Sequence, residues 1–212
     1  MILVVCALIA ELKYVTRRAG TEIIAGGVGP VEAAVATASA LARSPYDAVV
    51  NAGIGGAFRD RARVGDALIV GNEALADFGL EGGGAPRLPD GAMLVERESA
   101  DAALLERCAG LGIPAGSGVT VSSVTTTDAT ALRLWERYAA DVESMEGFSV
   151  LRAAAVARVP ALEVRGISNY VGDRARAEWD FAAGAHATAA ALDAILEALL
   201  VGAAGADPGG IG

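Results

Sequence analysis

Residues that bind metals are scarce in this sequence. Its 212 residues include one histidine, His186, and two cysteines, Cys6 and Cys108. None of them has the spacing of metal ligands, so we expect no metal site and no cofactor. Two cysteines without a disulfide framework fit a reducing, cytoplasmic location. His186 lies in an alanine-rich stretch typical of a helix, and we interpret it as a non-catalytic residue.

Positive charge is scarce as well. The chain has 17 lysines and arginines against 26 aspartates and glutamates, which gives a formal net charge of −9. Binding to the phosphates of nucleic acid requires a basic surface, so we exclude nucleic acid as a partner. The same shortage of cations argues against an anionic membrane surface.

Long apolar segments are confined to the start of the chain. Residues 1–10 are apolar, but they lack a basic leading region and Glu11 follows directly. We therefore do not interpret them as a signal peptide. We find no other stretch that is long and apolar enough for a transmembrane helix, and we expect no membrane partner.

Aromatic residues make up 5% of the chain, whereas 53% of its residues are hydrophobic and 27 are glycine. Such a chain is expected to bury an aliphatic core. Stretches typical of strands alternate with helical ones, which predicts a single α/β domain with a central mixed, twisted sheet flanked by helices. We assign this domain to residues 1–200 and interpret residues 201–212 as a flexible tail rich in glycine and alanine.

The predicted elements alternate along the chain. The strands cover 2–8, 21–25, 48–52, 67–76, 116–124 and 161–167, and the helices cover 10–17, 31–42, 100–111, 128–138, 145–156 and 182–200. Ligands of such sheets bind beyond the carboxyl ends of the strands. Most of the chemically unusual residues of this chain lie at those ends.

One of these ends, residues 142–147, carries two glutamates three positions apart. A partly buried carboxylate at the start of a helix can accept hydrogen bonds from both hydroxyls of a vicinal diol. We hypothesise that Glu146 holds a ribose and that Met145 lies against the sugar. The alternative is a capping box, with Ser144 or Asp141 as the N-cap and an acid in the first turn.

Other strand ends carry further candidates. The glycines at 26–29 lack the pattern of a dinucleotide loop and indicate close backbone packing or anion binding at a helix start. The glycine-rich residues 53–56 either expose backbone amides to a flat ligand or form a tight turn. Glu11 is either a catalytic carboxylate or a helix-start residue. Arg165, if buried, needs an acid partner, for which Glu11 is a candidate, or it belongs to a structural ion pair.

Taken in chain order, these features form a recognisable set. A resemblance to the nucleoside phosphorylase and nucleosidase superfamily is carried by Glu11, Asn51-x-Gly53-x-Gly55-Gly56, Ser144-Met145-Glu146 and Arg165-Gly166-Ile167-Ser168-Asn169. The sequence resembles more closely the bacterial methylthioadenosine/S-adenosylhomocysteine nucleosidases, over all but the tail. It resembles the futalosine hydrolase family more closely still, through the runs 142–147 and 167–173 and through Trp179-Asp180.

The resemblance implies a fold and an activity. The fold is nucleoside phosphorylase-like, and the reaction is hydrolysis of the N-glycosidic bond of futalosine in menaquinone biosynthesis. The products are hypoxanthine and dehypoxanthine futalosine. The partners are then a small nucleoside and water. Members of the superfamily are usually homo-oligomers that complete the site with a second copy, so we expect at least a dimer.

The resemblance also implies roles for single residues. Met145 and Glu146 bind the ribose, and Glu11, held by Arg165, orients the attacking water. Asn169 stands where the nucleosidases have an aspartate that protonates adenine. Its amide suits the leaving group of a 6-oxopurine such as hypoxanthine. The remaining substrate-binding residues implied are Gly53, Ile54, Gly55, Thr125, Thr126, Ser168 and Trp179.

Some of these positions carry a more specific expectation. Ile54 replaces a serine of the nucleosidases, which removes a polar contact near the water. Trp179 covers the 5′ side of the nucleoside, and the two threonines line the base pocket. The carboxylate on the 5′ substituent of futalosine has three candidate partners that we do not rank, Lys13, Arg174 and Arg176.

Three other functions stay open. The first is an adenine-specific nucleosidase, and the second is a non-catalytic nucleoside-binding protein on the same fold. The third is phosphorolysis, which needs an anion cradle, usually built from arginines. Glu11 would repel phosphate, and Arg59, Arg61 and Arg63 lie in a polar turn where we interpret them as solvated.

Overall fold

A computed structural model of the protein describes residues 1–80, 87–172 and 179–201. Its centre is an eight-stranded mixed sheet. The strands are β1 (Ile2–Cys6), β2 (Thr21–Ala25), β3 (Ala48–Ala57), β4 (Ala67–Leu75), β5 (Arg97–Ser99), β6 (Ala115–Thr120), β7 (Val142–Ser144) and β8 (Ala161–Tyr170). The helices are α1 (Pro30–Arg43), α2 (Ala102–Cys108), α3 (Asp128–Tyr138), α4 (Gly147–Ala157) and α5 (Phe181–Val201), with 3₁₀ turns at Ile9–Leu12 and Ala109–Leu111.

The sheet has an open arm and a closed part. Its strands follow the order β2-β1-β3-β7-β6-β4-β5. The last strand, β8, pairs in parallel with β3 and antiparallel with β4. Strands β3, β7, β6, β4 and β8 therefore close into a ring. The mixed sheet flanked by helices confirms the predicted fold class.

Alternation along β8 separates two environments. Leu162 and Val164 pack in an apolar cluster with residues of α5. Glu163, Arg165 and Ile167 point to the opposite face of the strand, where Ile167 joins a second apolar cluster with residues of β3, β4 and β7. The charged residues of β8 are therefore enclosed by the ring of strands.

Several predicted boundaries were wrong. The third strand was expected to end at Ala52, but β3 continues to Ala57 because β8 pairs along it through Tyr170. The predicted helix over 10–17 is a single 3₁₀ turn at Ile9–Leu12. The helix expected from Met145 begins at Gly147, because 142–144 form a short strand.

The last helix corrects the expectation about membranes. By length and composition alone, α5 is long and apolar enough to cross a membrane, contrary to our interpretation of the sequence. In the structure half of its most apolar window is buried, and its apolar residues pack against the sheet. A core helix of a globular domain has the same composition. Of the predicted tail, Val201 ends α5, and residues 202–212 lie outside the described residues.

Candidate active site

A cavity of about 280 Å³ lies at the carboxyl ends of β1, β3 and β8. The residues that line it come from strands β3, β7 and β8, from the segments that follow β1, β2 and β6, and from the starts of α4 and α5. The lining residues are Ala7, Leu8, Glu11, Val28, Ile54, Gly55, Gly56, Val124, Glu143, Ser144, Met145, Glu146, Ser168, Asn169, Trp179 and Phe181. Sequence elements that are far apart along the chain thus meet at one place, as the position of the strand ends predicted.

Glu11 is held by backbone amides at one wall of the cavity. The 3₁₀ turn after β1 places it three residues beyond Leu8, whose N–H donates to Glu11 Oε2 at 2.9 Å. The N–H of Ile54 donates to Glu11 Oε1 at 3.2 Å. Burial raises the pKa of Glu11 above its usual value, although both N–H donors and the nearby Arg165 charge oppose this shift. The site therefore holds a carboxyl group that gains a proton more readily than an exposed glutamate.

Glu146 occupies the N-cap position of α4, but its side chain does not cap that helix. Its Oε1 accepts the N–H of Gly29 at 3.0 Å, and its Oε2 accepts from Arg165 Nη1 at 3.3 Å. Ser144 Oγ accepts the N–H of Gly147, the first residue of α4. The N-cap is thus Glu146, and not Ser144 or Asp141 as the capping alternative predicted, although Ser144 accepts the N–H of the first helical residue. The Glu146 side chain lines the cavity.

Arg165 is 1% exposed and connects several groups behind the cavity. Its Nε donates to Glu163 Oε1 at 2.8 Å and its Nη2 donates to Asn51 Oδ1 at 2.6 Å. Its Nη1 reaches Glu146 and, at 3.2 Å, the carbonyl oxygen of Ile54. The acids paired with Arg165 are thus Glu163 and Glu146, whereas the sequence led us to name Glu11 as the candidate partner.

Asn169 and Ser168 end β8 at the cavity. Ser168 Oγ donates to Asn169 Oδ1 at 2.8 Å, and Asn169 Nδ2 donates to the carbonyl oxygen of Tyr170 at 3.1 Å. A β-bulge between Gly55 and Gly56 shifts the pairing with β8 at this point. Bulges re-aim the side chains around them. Here the bulge lies where β3 faces Asn169.

The glycines of β3 do not all face the ligand space as the sequence indicated. A Cβ atom at Gly53 would lie 2.9 Å from Arg165 Nη1 and 3.1 Å from Glu11 Oε1. Gly53 therefore allows these two side chains to approach each other, and it does not line the cavity. Gly55 and Ile54 do line it.

Other predicted residues have mixed positions. Thr125 is buried and donates from its N–H and its Oγ1 to Glu143, while Thr126 is exposed. Neither threonine is on the cavity wall, so their role at the base stays a prediction. Trp179 and Met145 both line the cavity.

Eight lining residues were not among the predicted site residues, namely Ala7, Leu8, Val28, Gly56, Val124, Glu143, Ser144 and Phe181. Phe181 follows Trp179 by two positions, Glu143 belongs to the same motif as Glu146, and Val28 lies in the glycine stretch before α1. Each lies within a few residues of a position that we named. Proximity to a motif was thus an available signal, but strand alternation alone does not show which neighbour faces the cavity.

The candidate cations for the 5′ carboxylate remain unassigned. Lys13 is exposed, and its Nζ lies 4.5 Å from the centroid of the Tyr14 ring. Arg174 and Arg176 lie outside the described residues. The arginines at 59, 61 and 63 line a separate cleft with Tyr170, and all three are exposed, in agreement with their interpretation as solvated.

Comparisons with known proteins decide the family. The sequence matches the phosphorylase superfamily over residues 9–201. Three curated futalosine hydrolases are similar to it, and that of Streptomyces coelicolor is 41% identical over 194 residues, which cover 83% of this chain and 77% of the relative. The chain belongs to the futalosine hydrolase family of the phosphorylase superfamily.

Two further similarities fit this membership. A 5′-methylthioadenosine/S-adenosylhomocysteine nucleosidase of Colwellia psychrerythraea is 32% identical, over 71% of this chain and 67% of the relative. The native structure of the futalosine hydrolase of Helicobacter pylori superposes with a TM-score of 0.78, covering 92% of this chain and 97% of that chain at 17% identity. At that identity the structure shows the shared fold alone.

Proposed function

We propose that the protein hydrolyses the N-glycosidic bond of futalosine and releases hypoxanthine and dehypoxanthine futalosine, a step of menaquinone biosynthesis. The observation that carries this proposal is the convergence of Glu11, Glu146 and Asn169 on one cavity. Glu146 supplies an acceptor for sugar hydroxyls, Glu11 a group that orients water, and Asn169 a partner for the leaving base. Membership of the futalosine hydrolase family supports the choice of substrate.

Glu146 is the proposed ribose ligand. Each of its carboxylate oxygens accepts one N–H donor, from Gly29 or Arg165. Each oxygen therefore keeps a lone pair for one hydroxyl of a vicinal diol. As the glycosidic bond breaks, positive charge develops on the sugar, as in glycoside hydrolysis generally. A fixed negative charge beneath the sugar stabilises that transition state more than the ground state.

Glu11 is the proposed partner of the attacking water. Its two backbone hydrogen bonds hold the carboxylate in place while free lone pairs face the cavity. Its raised pKa brings it closer to the pH at which a carboxylate accepts a proton efficiently. Glu11 thus orients the water and takes its proton as the new C–O bond forms.

Asn169 is the proposed partner of the leaving purine. An amide donates or accepts a hydrogen bond but does not transfer a proton. A 6-oxopurine leaves more readily as an anion than adenine does, so it needs no strong acid at this position. The Ser168 hydroxyl, which donates to Asn169 Oδ1, turns the amide nitrogen away from itself and fixes the orientation of the amide.

Hydrolysis is favoured over phosphorolysis by the charge of the cavity. Its described lining contains three glutamates and no lysine or arginine. Arg165 lies behind this wall and is already paired with two acids. Among the residues that the structure describes, a phosphate ion would thus meet carboxylates without a cation, which is unfavourable.

The test is release of hypoxanthine from futalosine, measured with and without phosphate. We expect equal rates in both buffers, and a requirement for phosphate would overturn the hydrolase proposal. A substrate panel of futalosine, aminofutalosine, methylthioadenosine and inosine separates the two nucleosidase functions. We expect futalosine to have the highest kcat/KM. A preference for methylthioadenosine would assign the protein to the adenine-specific nucleosidases, to which the Colwellia relative belongs by name.

The proposal also includes assembly into a homo-oligomer in the cytoplasm. Apolar side chains are exposed beside the mouth of the cavity and along α1, namely Leu8, Ile9, Val28, Val31 and Val35. A second copy that covers them would bury apolar surface and shield the substrate from solvent. Sedimentation equilibrium should give a multiple of 21.3 kDa, and a monomer at all concentrations would contradict this part.

A further inference from the structure

Two glutamates lie behind the candidate site and take no part in lining its cavity. Glu73 on β4 and Glu163 on β8 are each 0% exposed. We call them the sealed pair. Carboxylates are almost never fully buried unless they are paired, so their presence at this depth calls for a physical reason.

The hydrogen bonds of the sealed pair leave one oxygen of each carboxyl group unused. Thr120 Oγ1 accepts the N–H of Phe148 at 2.8 Å and donates its own proton to Glu73 Oε2 at 3.0 Å. Glu163 Oε1 accepts from Arg165 Nε at 2.8 Å. The two remaining oxygens, Glu73 Oε1 and Glu163 Oε2, are buried without any other partner.

The unused oxygens face the same point in space. A Cβ atom at Gly147 would lie 2.6 Å from Glu73 Oε1 and 2.5 Å from Glu163 Oε2. Both oxygens thus lie within 2.6 Å of one point, and two ionised carboxylates so close together, away from water, would repel each other strongly. A single proton between these two oxygens removes the repulsion and supplies both of them with a hydrogen-bond partner.

We propose that Glu73 is held protonated and donates this proton to Glu163, and that the resulting acid–carboxylate pair positions Arg165 and, through it, Glu146. The chain of contacts runs from Thr120 through the sealed pair to Arg165 and ends at the cavity. Both glutamates are positioning residues, since neither lines the cavity. The link to catalysis rests on the proposed function, whereas the shared proton does not.

The proton belongs to Glu73 because the charges around the pair are unequal. Burial raises the pKa of Glu163 too, but Arg165, which contacts Glu163 directly, opposes this shift and favours the ionised form. Burial and the adjacent Glu163 charge raise the pKa of Glu73 well above its usual value. Glu146 and Glu11 face Arg165 from the cavity side and add negative charge there.

One more acid lies on the same face of the sheet. Glu98 on β5 is the antiparallel neighbour of Glu73. Arg152 of α4 pairs with Glu98 at 2.9 Å and neutralises it. Because Arg152 is engaged by Glu98, it supplies no cation to Glu73. Thr120, the remaining neighbour with a hydrogen bond to Glu73, carries no charge.

The first experiment needs no substrate and compares wild type with Glu73→Gln across pH. Glutamine keeps a donor toward Glu163 and an acceptor toward Thr120 but does not titrate. The pKa of Glu73 is higher in the folded protein than in the unfolded chain. Glu73 therefore contributes its full stabilisation at pH values below its usual pKa of 4.5, and this contribution is lost as the pH rises toward the folded-state pKa. The Tm of wild type minus that of Glu73→Gln should therefore fall by about 4 °C per pH unit above pH 5.

A pH-independent Tm difference would overturn the shared proton. An infrared difference spectrum at neutral pH, wild type minus Glu73→Gln, should contain the carbonyl stretch of one protonated carboxylic acid. Its absence would also overturn the proposal. The subtraction cancels other buried acids such as Glu143, whose pKa is also raised by burial.

The second experiment measures the positioning role by kinetics. Glu73→Ala should lower kcat/KM, and Glu73→Gln should restore most of it. Glu163→Gln removes the charge that holds Arg165 and should lower kcat/KM about 10²-fold, because small misplacements of catalytic groups have effects of this size. Equal loss in Glu73→Gln and Glu163→Gln would contradict the assignment of the proton. If futalosine is not the substrate, the kinetics fail for every variant, while the Tm and infrared results still decide the shared proton.

Discussion

Arg165 lies between two sets of glutamates that differ in their surroundings. Glu11 and Glu146 face the cavity, and each accepts backbone N–H donors, three in all from Leu8, Ile54 and Gly29. The sealed pair has one side-chain hydroxyl and one guanidinium N–H as its partners. All four acids are buried, with exposed fractions of 0–5%.

The difference shows that hydrogen-bond donors, more than depth, decide what a buried carboxyl group does. A carboxylate that accepts N–H donors is stabilised in its charged form and keeps lone pairs for a ligand. Where donors are too few, a proton has to supply the missing bond. The cavity-facing acids are thus suited to bind a diol and water, and the sealed pair is suited to hold Arg165 in place.

The largest expected effect comes from breaking the cavity-facing set at Glu11. Glu11→Gln keeps the shape of the side chain but removes the base, so kcat for futalosine hydrolysis should fall about 10²–10⁴-fold with little change in KM. Steady-state kinetics with purified protein measures both constants. A variant with wild-type kcat would mean that another group orients the water.

The same variant tests the pH dependence. Activity requires ionised Glu11, so kcat of the wild type should fall as pH drops through the pKa of this group. Because burial raises that pKa, the fall should begin at a higher pH than for an ordinary glutamate. The acidic limb of the pH profile should be absent in Glu11→Gln.

An intermediate effect should follow from disturbing the sealed pair through its nearest glycine. In Gly147→Ala the added methyl group would lie 2.4–2.6 Å from the oxygens of Glu163 and Glu73. Overpacking of this kind should lower the free energy of unfolding by about 1–3 kcal/mol. Urea denaturation of the variant and of the wild type measures this difference in the free energy of unfolding.

Gly110→Ala is the matched control, because its added Cβ would have nothing within 4 Å. It should leave the unfolding free energy almost unchanged. Equal destabilisation by both substitutions would show that the space around Gly147 is less restricted than the structure indicates.

The smallest expected effect concerns the choice of base. Asn169→Asp adds a carboxyl group to the cavity wall and supplies a proton donor for an adenine leaving group. The ratio of kcat/KM for aminofutalosine to that for futalosine should rise by at least about tenfold. Asn169→Ala, which supplies neither an amide nor a carboxyl group, should lower kcat/KM for both substrates without favouring the adenine-containing one. An unchanged ratio in Asn169→Asp would contradict the role of Asn169 in base selection.

Much of the fold could be predicted from local patterns. The apolar runs of β1 and β8 and the helical periodicity of α1 and α3 indicated elements of the right type and order. The ends of β3 and β8 were placed too early, since both strands continue through residues with little apolar character. Their length comes from pairing with each other, which a local pattern does not contain.

The candidate site was predicted unevenly. Glu11, Glu146 and Asn169 were named because acids and amides at strand ends are unusual, and the resemblance gave them roles. Gly53 was named as a binding residue, yet it provides space for Arg165 and Glu11. Glu73 and Glu163 were not named, because an acid within an apolar strand does not reveal by its position which partner it meets.

The sequence by itself determined the order of the longer strands and helices, the acidic character of the chain and the residue types available at each strand end. Only the tertiary structure decided which of them meet. Closing the ring through β8 brings Glu163 and Arg165 beside Glu146 and beside Glu73, which lies on β4, far from them along the chain. Burial at that junction then sets their charge, because a carboxyl group away from water must find a donor, a cation or a proton.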